Sequence, residues 1–334
     1  MSERIFLTGG AGLIGSHVAR RLVALGHDVM LYDSFTAFMS PFQVNYAVNM
    51  ERRFPPELRR LAIVRGDVRH RGFLSRTLEE FQPTRVIHLA ALPIADLSNR
   101  FSEEAMEANL IATVTLLDAV QSLPDLRRLV YTSSSMVYGD FQYAPADEDH
   151  PKAPKDVYGG TKLAGEVMVE AYGRRFGIPW TIIRPSAVYG PTDVNRRVTQ
   201  IFVENALRGQ PIVLHDGGVS KLDFTHVDDV ADGFVRATLS ERSLNRTYNI
   251  TRGRGRSLRE LAELIARLVP GTRFEERPAD VLRPERDALS IARAREELGF
   301  EPKVDLEDGM PPYVEFVRRV FEESGQLRKG KLDP

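Results

Sequence analysis

The chain has 334 residues, of which 43% are hydrophobic and 27% are charged, a composition typical of a soluble globular protein. Its formal net charge of -1 gives no reason to expect nucleic acid or a membrane surface as a partner. The absence of cysteine excludes disulfides and thiolate metal sites and fits a reducing compartment. No apolar run approaches the ~18 residues that span a bilayer, and the N-terminus lacks a signal-peptide layout, so we expect a soluble, cytoplasmic protein.

The first pattern along the chain is an apolar strand, residues 5–8, followed by a glycine-rich turn and an amphipathic helix, 16–25. The turn consists of Gly9, Gly10, Ala11, Gly12, Leu13, Ile14 and Gly15. In such a unit the glycines permit a tight turn, close approach of a diphosphate and close packing of helix on strand, while the helix N-terminus faces the phosphates. A purely structural glycine turn is the alternative, and the context favours a dinucleotide site.

A second strand, 28–32, ends at Asp33, which follows Gly15 by 18 residues. A carboxylate at this distance is typical of the residue that binds the adenosine ribose hydroxyls. The next residues, Ser34, Phe35 and Thr36, include no cation that could bind a 2′-phosphate. The sequence therefore favours NAD over NADP.

The connection over residues 34–61 is unusually long and contains several aromatic residues. These are Phe35, Phe38, Phe42 and Tyr46. Long connections after a cofactor-binding strand are often functional, so the aromatic rings could cap an active site. We favour the simpler interpretation, that they pack a short helix.

The pattern of strands alternating with helices continues to residue 185. Further strands are predicted at 62–64, 86–90, 129–132 and 180–184, and helices at 71–81, 103–120 and 158–176. Six strands alternating with helices predict a parallel, doubly wound α/β sheet, whose ligands bind at the carboxyl ends of the strands. The glycine turn, Asp33, Asp67, residues 89–91 and residues 133–135 all follow strands and meet at that edge. His88 alternates within an apolar strand, which is more typical of a core histidine than of a catalytic one.

Tyr158 and Lys162 lie one helical turn apart at the start of the predicted helix 158–176, so their side chains share a face. An unperturbed tyrosine titrates near ~10, and a nearby lysine charge favours the phenolate that a general base requires. The spacing alone recurs by chance. Its position after a serine-bearing strand end, on a dinucleotide-binding fold, makes Tyr158 a candidate acid/base.

After residue 185 the alternation loosens. We predict helices at 199–207, 228–239, 258–268, 288–298 and 310–321, and strands at 212–214 and 224–227. Ser257 and Glu260 form a capping-box pattern at the start of one of these helices. We therefore divide the chain into an NAD-binding domain, 1–185 with a return segment near 223–250, and a smaller α+β substrate-binding part, 186–222 and 251–334.

Together these motifs resemble the extended short-chain dehydrogenase/reductase family, in its NAD-dependent epimerase/dehydratase branch. The matching stretches are residues 8–15, Asp33, Gly66-Asp67-Val68, His88-Leu89-Ala90-Ala91, residues 133–139, Tyr158 with Lys162, residues 184–191, residues 223–229, Arg283-Pro284 and residues 298–302. They occur in family order over nearly the whole chain.

The resemblance implies a role for each matching residue. Tyr158 would be the acid/base, Lys162 would bind the nicotinamide ribose and lower the tyrosine pKa, and Ser134 would hydrogen-bond the reacting hydroxyl. The remaining cofactor contacts would be Asp67 and Val68 at the adenine, Leu89, Ala90 and Ala91 at the nicotinamide ribose, and Pro185. The substrate contacts would be Ser134, Ser135, Arg184, Arg197, Lys221 and Arg283, the last matching an arginine that often binds a nucleotide-sugar diphosphate.

Three departures from the family pattern narrow the chemistry. Sugar 4,6-dehydratases carry Thr-Asp-Glu where this chain has Ser134-Ser135-Met136, so the acid and base needed to eliminate water are missing. Many relatives place Asn at Ala187 and Arg at Leu222, and both normally hold the substrate diphosphate. Lys221 and Arg197 could compensate, or the substrate could be held differently or lack a diphosphate.

The resemblance thus favours an NAD-dependent epimerase of a nucleotide-activated sugar, acting at C4 by transient hydride transfer to tightly bound NAD. An alternative is a sugar 4-ketoreductase or dehydrogenase with net redox, and a minor one is a non-catalytic NAD-binding protein. The helices near 103–120 and 157–176 match those that pair in family dimers, so we expect a homodimer.

Overall fold

A parallel sheet organises the protein, whose computed structural model describes residues 2–39, 46–55, 58, 61–280 and 282–324, with the side chains of 46–48 not described. Its strands are β1 Arg4–Thr8, β2 Asp28–Asp33, β3 Ala62–Arg65, β4 Arg85–His88, β5 Arg128–Thr132, β6 Trp180–Pro185 and β11 Arg246–Ile250. In the described residues they form a 7-stranded sheet in the order β11-β6-β5-β4-β1-β2-β3, and every pairing is parallel. The predicted doubly wound α/β sheet is confirmed.

Helices cover both faces of this sheet. They are α1 Leu13–Ala24, α2 Tyr46–Arg53, α3 Arg71–Phe81, α4 Ala95–Arg100, α5 Ser102–Met106, α6 Ala112–Val120, α7 Val157–Phe176, α9 Val227–Leu239 and α11 Ala292–Leu298. Alternation along β1 shows the two-sided burial: Ile5 and Leu7 join the apolar cluster under α1 and α9, whereas Phe6 joins the cluster under α3, α6 and α7. A strand buried on both faces reads as a continuous apolar run, which is why β1 was recognisable in the sequence.

A separate apolar cluster holds the C-terminal part together. Its elements are the helices α8 Val198–Leu207, α10 Leu258–Leu268 and α12 Leu306–Glu323, with the strands β7 Val188–Tyr189, β8 Ile212–His215, β9 Lys221–Asp223, β10 Thr225–His226, β12 Gly255–Ser257 and β13 Phe274–Arg277. These strands pair two by two: β7 with β10, β8 with β13, and β9 with β12. Helix α10 begins with the predicted capping box between Ser257 and Glu260.

The structure differs from the sequence expectations at several elements. The seventh strand, β11, was not predicted as a strand, because Arg246–Ile250 is short and mixes polar with apolar residues. The predicted helix 103–120 contains a π-helical segment, Glu107–Ile111, between α5 and α6. Helix α12 begins at Leu306 rather than at 310 and continues through Pro311 and Pro312, residues that disfavour a helix interior.

Among the described residues, no helix is long and apolar enough to cross a membrane.

Candidate active site

A cavity of about 990 Å³ lies along the carboxyl edge of the sheet, between the glycine turn and the C-terminal part. All but one of the site residues predicted from the sequence line this cavity, the exception being Arg184. The lining residues are Gly9, Gly12, Leu13, Ile14, Gly15, Asp33, Asp67, Val68, Leu89, Ala90, Ala91, Ser134, Ser135, Tyr158, Lys162, Pro185, Arg197, Lys221 and Arg283. The strand-end argument thus placed residues that are far apart in the sequence at one edge.

The glycine turn has the shape that a dinucleotide diphosphate requires. Gly9 adopts φ +65°, and a Cβ atom there would lie 2.5 Å from the backbone nitrogen of Ala90. Gly12 caps helix α1 without a side-chain hydrogen bond, and the first turn of the helix contains no acidic residue. The helix itself thus supplies no carboxylate that would compete for these amide groups, and the turn fits the diphosphate of NAD.

Asp33 stands at the end of β2 with its carboxylate fixed by two backbone amides. The amide of Ala11 donates to Oδ2 at 2.9 Å and that of Phe35 to Oδ1 at 2.7 Å. Burial raises the pKa of Asp33, and these two hydrogen bonds oppose that shift. The carboxylate lines the cavity next to the turn, where it can accept hydrogen bonds from ribose hydroxyls.

Beside Asp67, which was expected to contact the adenine, the cavity is also lined by Arg69, a residue not predicted from the sequence. Its guanidinium donates to Asp67 through Nε at 3.1 Å and Nη2 at 2.7 Å, and to Glu107 through Nη1 at 3.0 Å. The Arg69 hydrogen bond holds the pKa of Asp67 below its usual value. Asp67 is thus kept as an acceptor-only carboxylate at the cavity wall.

The proposed reaction centre is formed by helix α7 and the end of β5. Asp156 caps the helix by accepting the Gly159 amide at 2.7 Å, which places Tyr158 in the first turn. Lys162 is buried one turn further on, and its Nζ donates to the Thr132 carbonyl at 2.9 Å. Its ammonium lies 6.0 Å from the centre of the Tyr158 ring.

The electrostatics of this pair differ from the expectation that Lys162 lowers the tyrosine pKa. Burial raises the pKa of Tyr158, and the charge of Arg197 and a hydrogen bond with Ser134 act against that rise. Burial lowers the pKa of Lys162 to about 8. Arg197 was predicted only as a substrate contact. Its charge offsets part of the rise in pKa that burial causes at Tyr158.

Arg184 was predicted to bind substrate, and the structure does not support this. Its side chain is 2% exposed and forms a bidentate ion pair with Glu166, in which Nε donates to Oε1 at 2.8 Å and Nη2 donates to Oε2 at 2.7 Å. Nη1 donates to the Tyr138 hydroxyl at 2.8 Å. A guanidinium enclosed by these partners lies beneath the site, not in the cavity, so its position is structural.

The cations that were predicted to hold the substrate are paired within the protein. Lys221 binds Asp287 at 2.8 Å, Arg197 approaches Asp193 to 3.3 Å, and Arg283 binds Asp280 at 2.8 Å. Arg283 is also 58% exposed on its side chain. These pairs leave each cation less available than the sequence suggested.

Arg286, three residues after Arg283, is a cavity residue that sequence reasoning missed. It makes no hydrogen bond with the part of the chain that the structure describes, and its Nε is buried. Burial lowers its pKa to about 10, with the carboxylate of Asp156 acting in the other direction. A buried N–H donor without a hydrogen bond is costly, and an anion in the cavity would satisfy it. The sequence could not distinguish Arg286 from Arg283, because both arginines belong to one short segment.

Two further expectations have clear outcomes. His88 is a core residue, as predicted: its ring bonds the hydroxyls of Thr8 at 2.6 Å and Thr113 at 3.1 Å, and burial lowers its pKa to about 3. Among the aromatic residues of 34–61, Phe38 lines the cavity, as expected if that ring caps the active site. Phe42 lies outside the described residues.

The fold and this site are those of a dinucleotide-dependent enzyme, with Tyr158 and Lys162 as its candidate reaction centre. The model of the NAD dependent epimerase/dehydratase family matches residues 5–251. A UDP-glucose 4-epimerase of Mycolicibacterium smegmatis is 33% identical over 320 residues, covering 94% of this chain and 98% of that protein.

Solved structures agree with this match. The UDP-glucose 4-epimerase of Thermotoga maritima has a TM-score of 0.86 at 27% identity, covering 96% of this chain and 100% of the other. The dTDP-glucose 4,6-dehydratase DesIV of Streptomyces venezuelae, solved with NAD, has a TM-score of 0.85 at 27% identity and covers 95% and 97%. The chain belongs to the NAD-dependent epimerase/dehydratase family, an extended short-chain dehydrogenase/reductase type of enzyme whose cofactor is NAD.

The glycine turn yields a testable expectation for cofactor binding. In Gly9→Ala the new methyl group collides with the Ala90 backbone, so strands β1 and β4 cannot keep their spacing and NAD content should fall to near zero. Gly26→Ala is the matched control: Gly26 also has a positive φ, +83°, but open space surrounds its Cβ position. It should lose about 1 kcal/mol of stability and keep its NAD. Equal NAD content in the two variants, measured after gel filtration, would contradict this role of Gly9.

Proposed function

We propose that this protein is a UDP-sugar 4-epimerase. The observation that carries the proposal is the set Ser134, Tyr158 and Lys162 with Met136 beside it at the cavity wall. A thioether neither donates nor accepts a proton at neutral pH, so that position offers neither an acid nor a base for the elimination of water. Similarity over nearly full length to UDP-glucose 4-epimerases supports the same assignment.

In the proposed reaction the protein handles the proton. NAD, when bound, supplies the acceptor and donor of hydride. The Tyr158 oxygen removes the proton of the C4 hydroxyl and returns it at the end, while Ser134 hydrogen-bonds the same hydroxyl. Lys162 is anchored on the Thr132 carbonyl beside the ring, and Arg197 is the cation whose charge acts to lower the pKa of the phenol. Ionisation of a partly buried phenol depends on such charges.

The sugar must turn within the site so that its other face receives the hydride. The cavity lining includes small or apolar residues, which place few directional contacts on a sugar ring: Pro93, Ile94, Ala95, Met136 and Ala187. Binding strength would then come from the nucleotide and its diphosphate. An epimerase requires this arrangement, in which the nucleotide supplies the binding free energy while the sugar ring stays free to rotate.

The alternative is net redox, as in a sugar 4-ketoreductase or dehydrogenase with the same residues. A non-catalytic NAD-binding protein is disfavoured because the reaction centre is intact. The absence of cysteine is compatible with our placement of the enzyme in the cytoplasm.

The reaction is tested by incubating the NAD-loaded protein with UDP-glucose, UDP-galactose and UDP-glucuronate and following C4 configuration by NMR. We expect interconversion of C4 epimers with no reduced nicotinamide accumulating in solution. Tyr158→Phe should keep its NAD and lose roughly a thousandfold in turnover, because the proton acceptor is removed. A 4-keto-6-deoxy product, or stoichiometric NADH, would overturn the epimerase assignment.

We assign the substrate diphosphate to Arg286 rather than to Arg283. Arg286→Gln should raise KM for the UDP-sugar by about 10- to 100-fold, the value of a charge-assisted hydrogen bond, with little change in kcat. Arg283→Gln is the matched control, since its guanidinium is exposed and bound to Asp280. An equal or larger effect at Arg283 would reverse the assignment.

We also propose a homodimer formed by helices α5 to α7. Met106, Ile111 and Val167 are 49%, 51% and 54% exposed on neighbouring helices, where a second copy would bury them. Light scattering should give twice the chain mass for the native protein, and Val167→Glu should give the monomer. Exposed Val219, at 63% in another part of the molecule, provides the control variant Val219→Glu, which should stay dimeric.

A further inference from the structure

Helix α2, within the long connection after Asp33, ends in two arginines that face different parts of the protein. Arg52 pairs with Glu323 of α12, with Nη2 at 2.6 and 2.7 Å from the two carboxylate oxygens, and lies over the ring of Phe316. Arg53 is 1% exposed and points to the cavity wall. The helix thus contacts the C-terminal part with one residue and the active-site cavity with the next.

The guanidinium of Arg53 joins two segments that are far apart in sequence. Nη1 donates to the Ala11 carbonyl of the glycine turn at 2.7 Å, and Nη2 donates to the Thr192 carbonyl at 2.5 Å. Nε reaches the Thr192 hydroxyl at 3.4 Å. Thr192 belongs to segment 190–197, which also carries Arg197. One side chain therefore fixes the distance between the cofactor turn and this segment.

The backbone at Thr192 needs such a partner. Its φ of +73° is in the left-handed region, which costs a residue with a branched Cβ free energy. The buried hydrogen bonds from Arg53 hold the threonine in this conformation. Segment 190–197 therefore depends on Arg53 for its path along the cavity.

Arg53 is itself held from the other side. Arg20 of α1 donates through Nη2 to the carbonyls of Arg52 at 3.3 Å and Arg53 at 3.1 Å, so the last turn of α2 is fixed on the helix that starts at the glycine turn. The Arg53 charge also acts on Asp33, opposing the effect of burial on its pKa, and the Ala11 amide bonds the same carboxylate. The guanidinium therefore contacts the turn expected to hold the diphosphate, and its charge acts on the carboxylate expected to hold the ribose.

We propose that Arg53 is a positioning residue that holds the glycine turn and segment 190–197 in one arrangement, so that NAD retention and substrate binding depend on the same guanidinium. The substrate half rests on the proposed function, and the NAD half does not. An arginine is required because its planar fork reaches two carbonyl oxygens at once, whereas a lysine supplies a single ammonium. Loss of the fork should release Thr192, and loss of the charge should weaken cofactor binding.

The experiment uses the full chain with Arg53→Gln and Arg53→Lys, and Arg52→Gln as the matched control on the same helix turn. The readouts are the Kd for NAD, the increase in Tm on adding NAD, and KM and kcat with a UDP-sugar. Arg53→Gln should weaken NAD binding by about 10- to 100-fold and raise KM. Arg53→Lys should keep most of the NAD affinity and still raise KM. Arg52→Gln loses only a partly exposed ion pair and should change the NAD Kd and KM less than twofold, as roughly expected for such pairs.

Two outcomes would overturn the proposal. If Arg53→Gln and Arg53→Lys lower the Tm of the protein without NAD but leave the NAD Kd and KM unchanged, Arg53 only stabilises the fold. If Arg52→Gln has the same effects as Arg53→Gln, NAD and substrate binding depend on the position of helix α2 and not on the Arg53 guanidinium. Should Arg53→Gln fail to fold, Arg53→Lys decides by the same readouts. If the wild-type protein converts no UDP-sugar, the proposed function fails, while the NAD measurements still test Arg53.

Discussion

The buried ion pair between Arg184 and Glu166 is the interaction on which the geometry of the site depends. Glu166 lies one helical turn beyond Lys162 on α7, and Arg184 lies near the end of β6, so the pair fixes the helix on the sheet at the level of the reaction centre. Glu166 also accepts the Ser133 hydroxyl at 2.5 Å, next to Ser134. Loss of either charge would leave the other buried and unpaired, which costs several kcal/mol, as a rule roughly 3–5. Tyr158, Lys162 and Ser134 therefore share one rigid frame.

A second support for the same helix comes from the π-helical segment between α5 and α6. Asn109 in this segment accepts the Leu92 amide at 2.7 Å and donates to the Thr161 hydroxyl at 3.0 Å, joining the residues after β4 to the turn of α7 between Tyr158 and Lys162. π-helical turns are rare and often occur at functional sites. Here the widened turn directs an amide side chain into the buried junction, and the sequence, which reads as an ordinary helix, gave no sign of it.

The sequence predicted those features that local pattern and strand order determine. The glycine turn and Asp33 follow from a strand–turn–helix unit, and the cavity follows from the rule that strand ends share an edge. The sequence could not predict the roles of charged side chains, because those roles depend on which residues lie next to each charge in the folded protein. From the sequence, Arg184 and Arg197 were predicted as substrate contacts and Arg286 was not. Only the fold shows that Arg184 is enclosed by Glu166, that Arg197 acts on Tyr158, and that Arg286 has no hydrogen bond within the described residues.

The pattern of charge pairing explains how the site can be selective despite the departures at Ala187 and Leu222. Both residues line the cavity and neither can bind a diphosphate, so the anion must be held from elsewhere. Most cavity cations already have carboxylate partners, and binding through them would require an ion pair to break. Arg286 requires no such exchange, because an incoming anion would satisfy its buried Nε, which has no hydrogen bond within the described residues. Because the Arg286 charge also interacts with Asp156, which caps the helix that carries Tyr158, an anion bound at Arg286 would act on the start of that helix. Anchoring of the substrate and placement of Tyr158 are then coupled through Asp156.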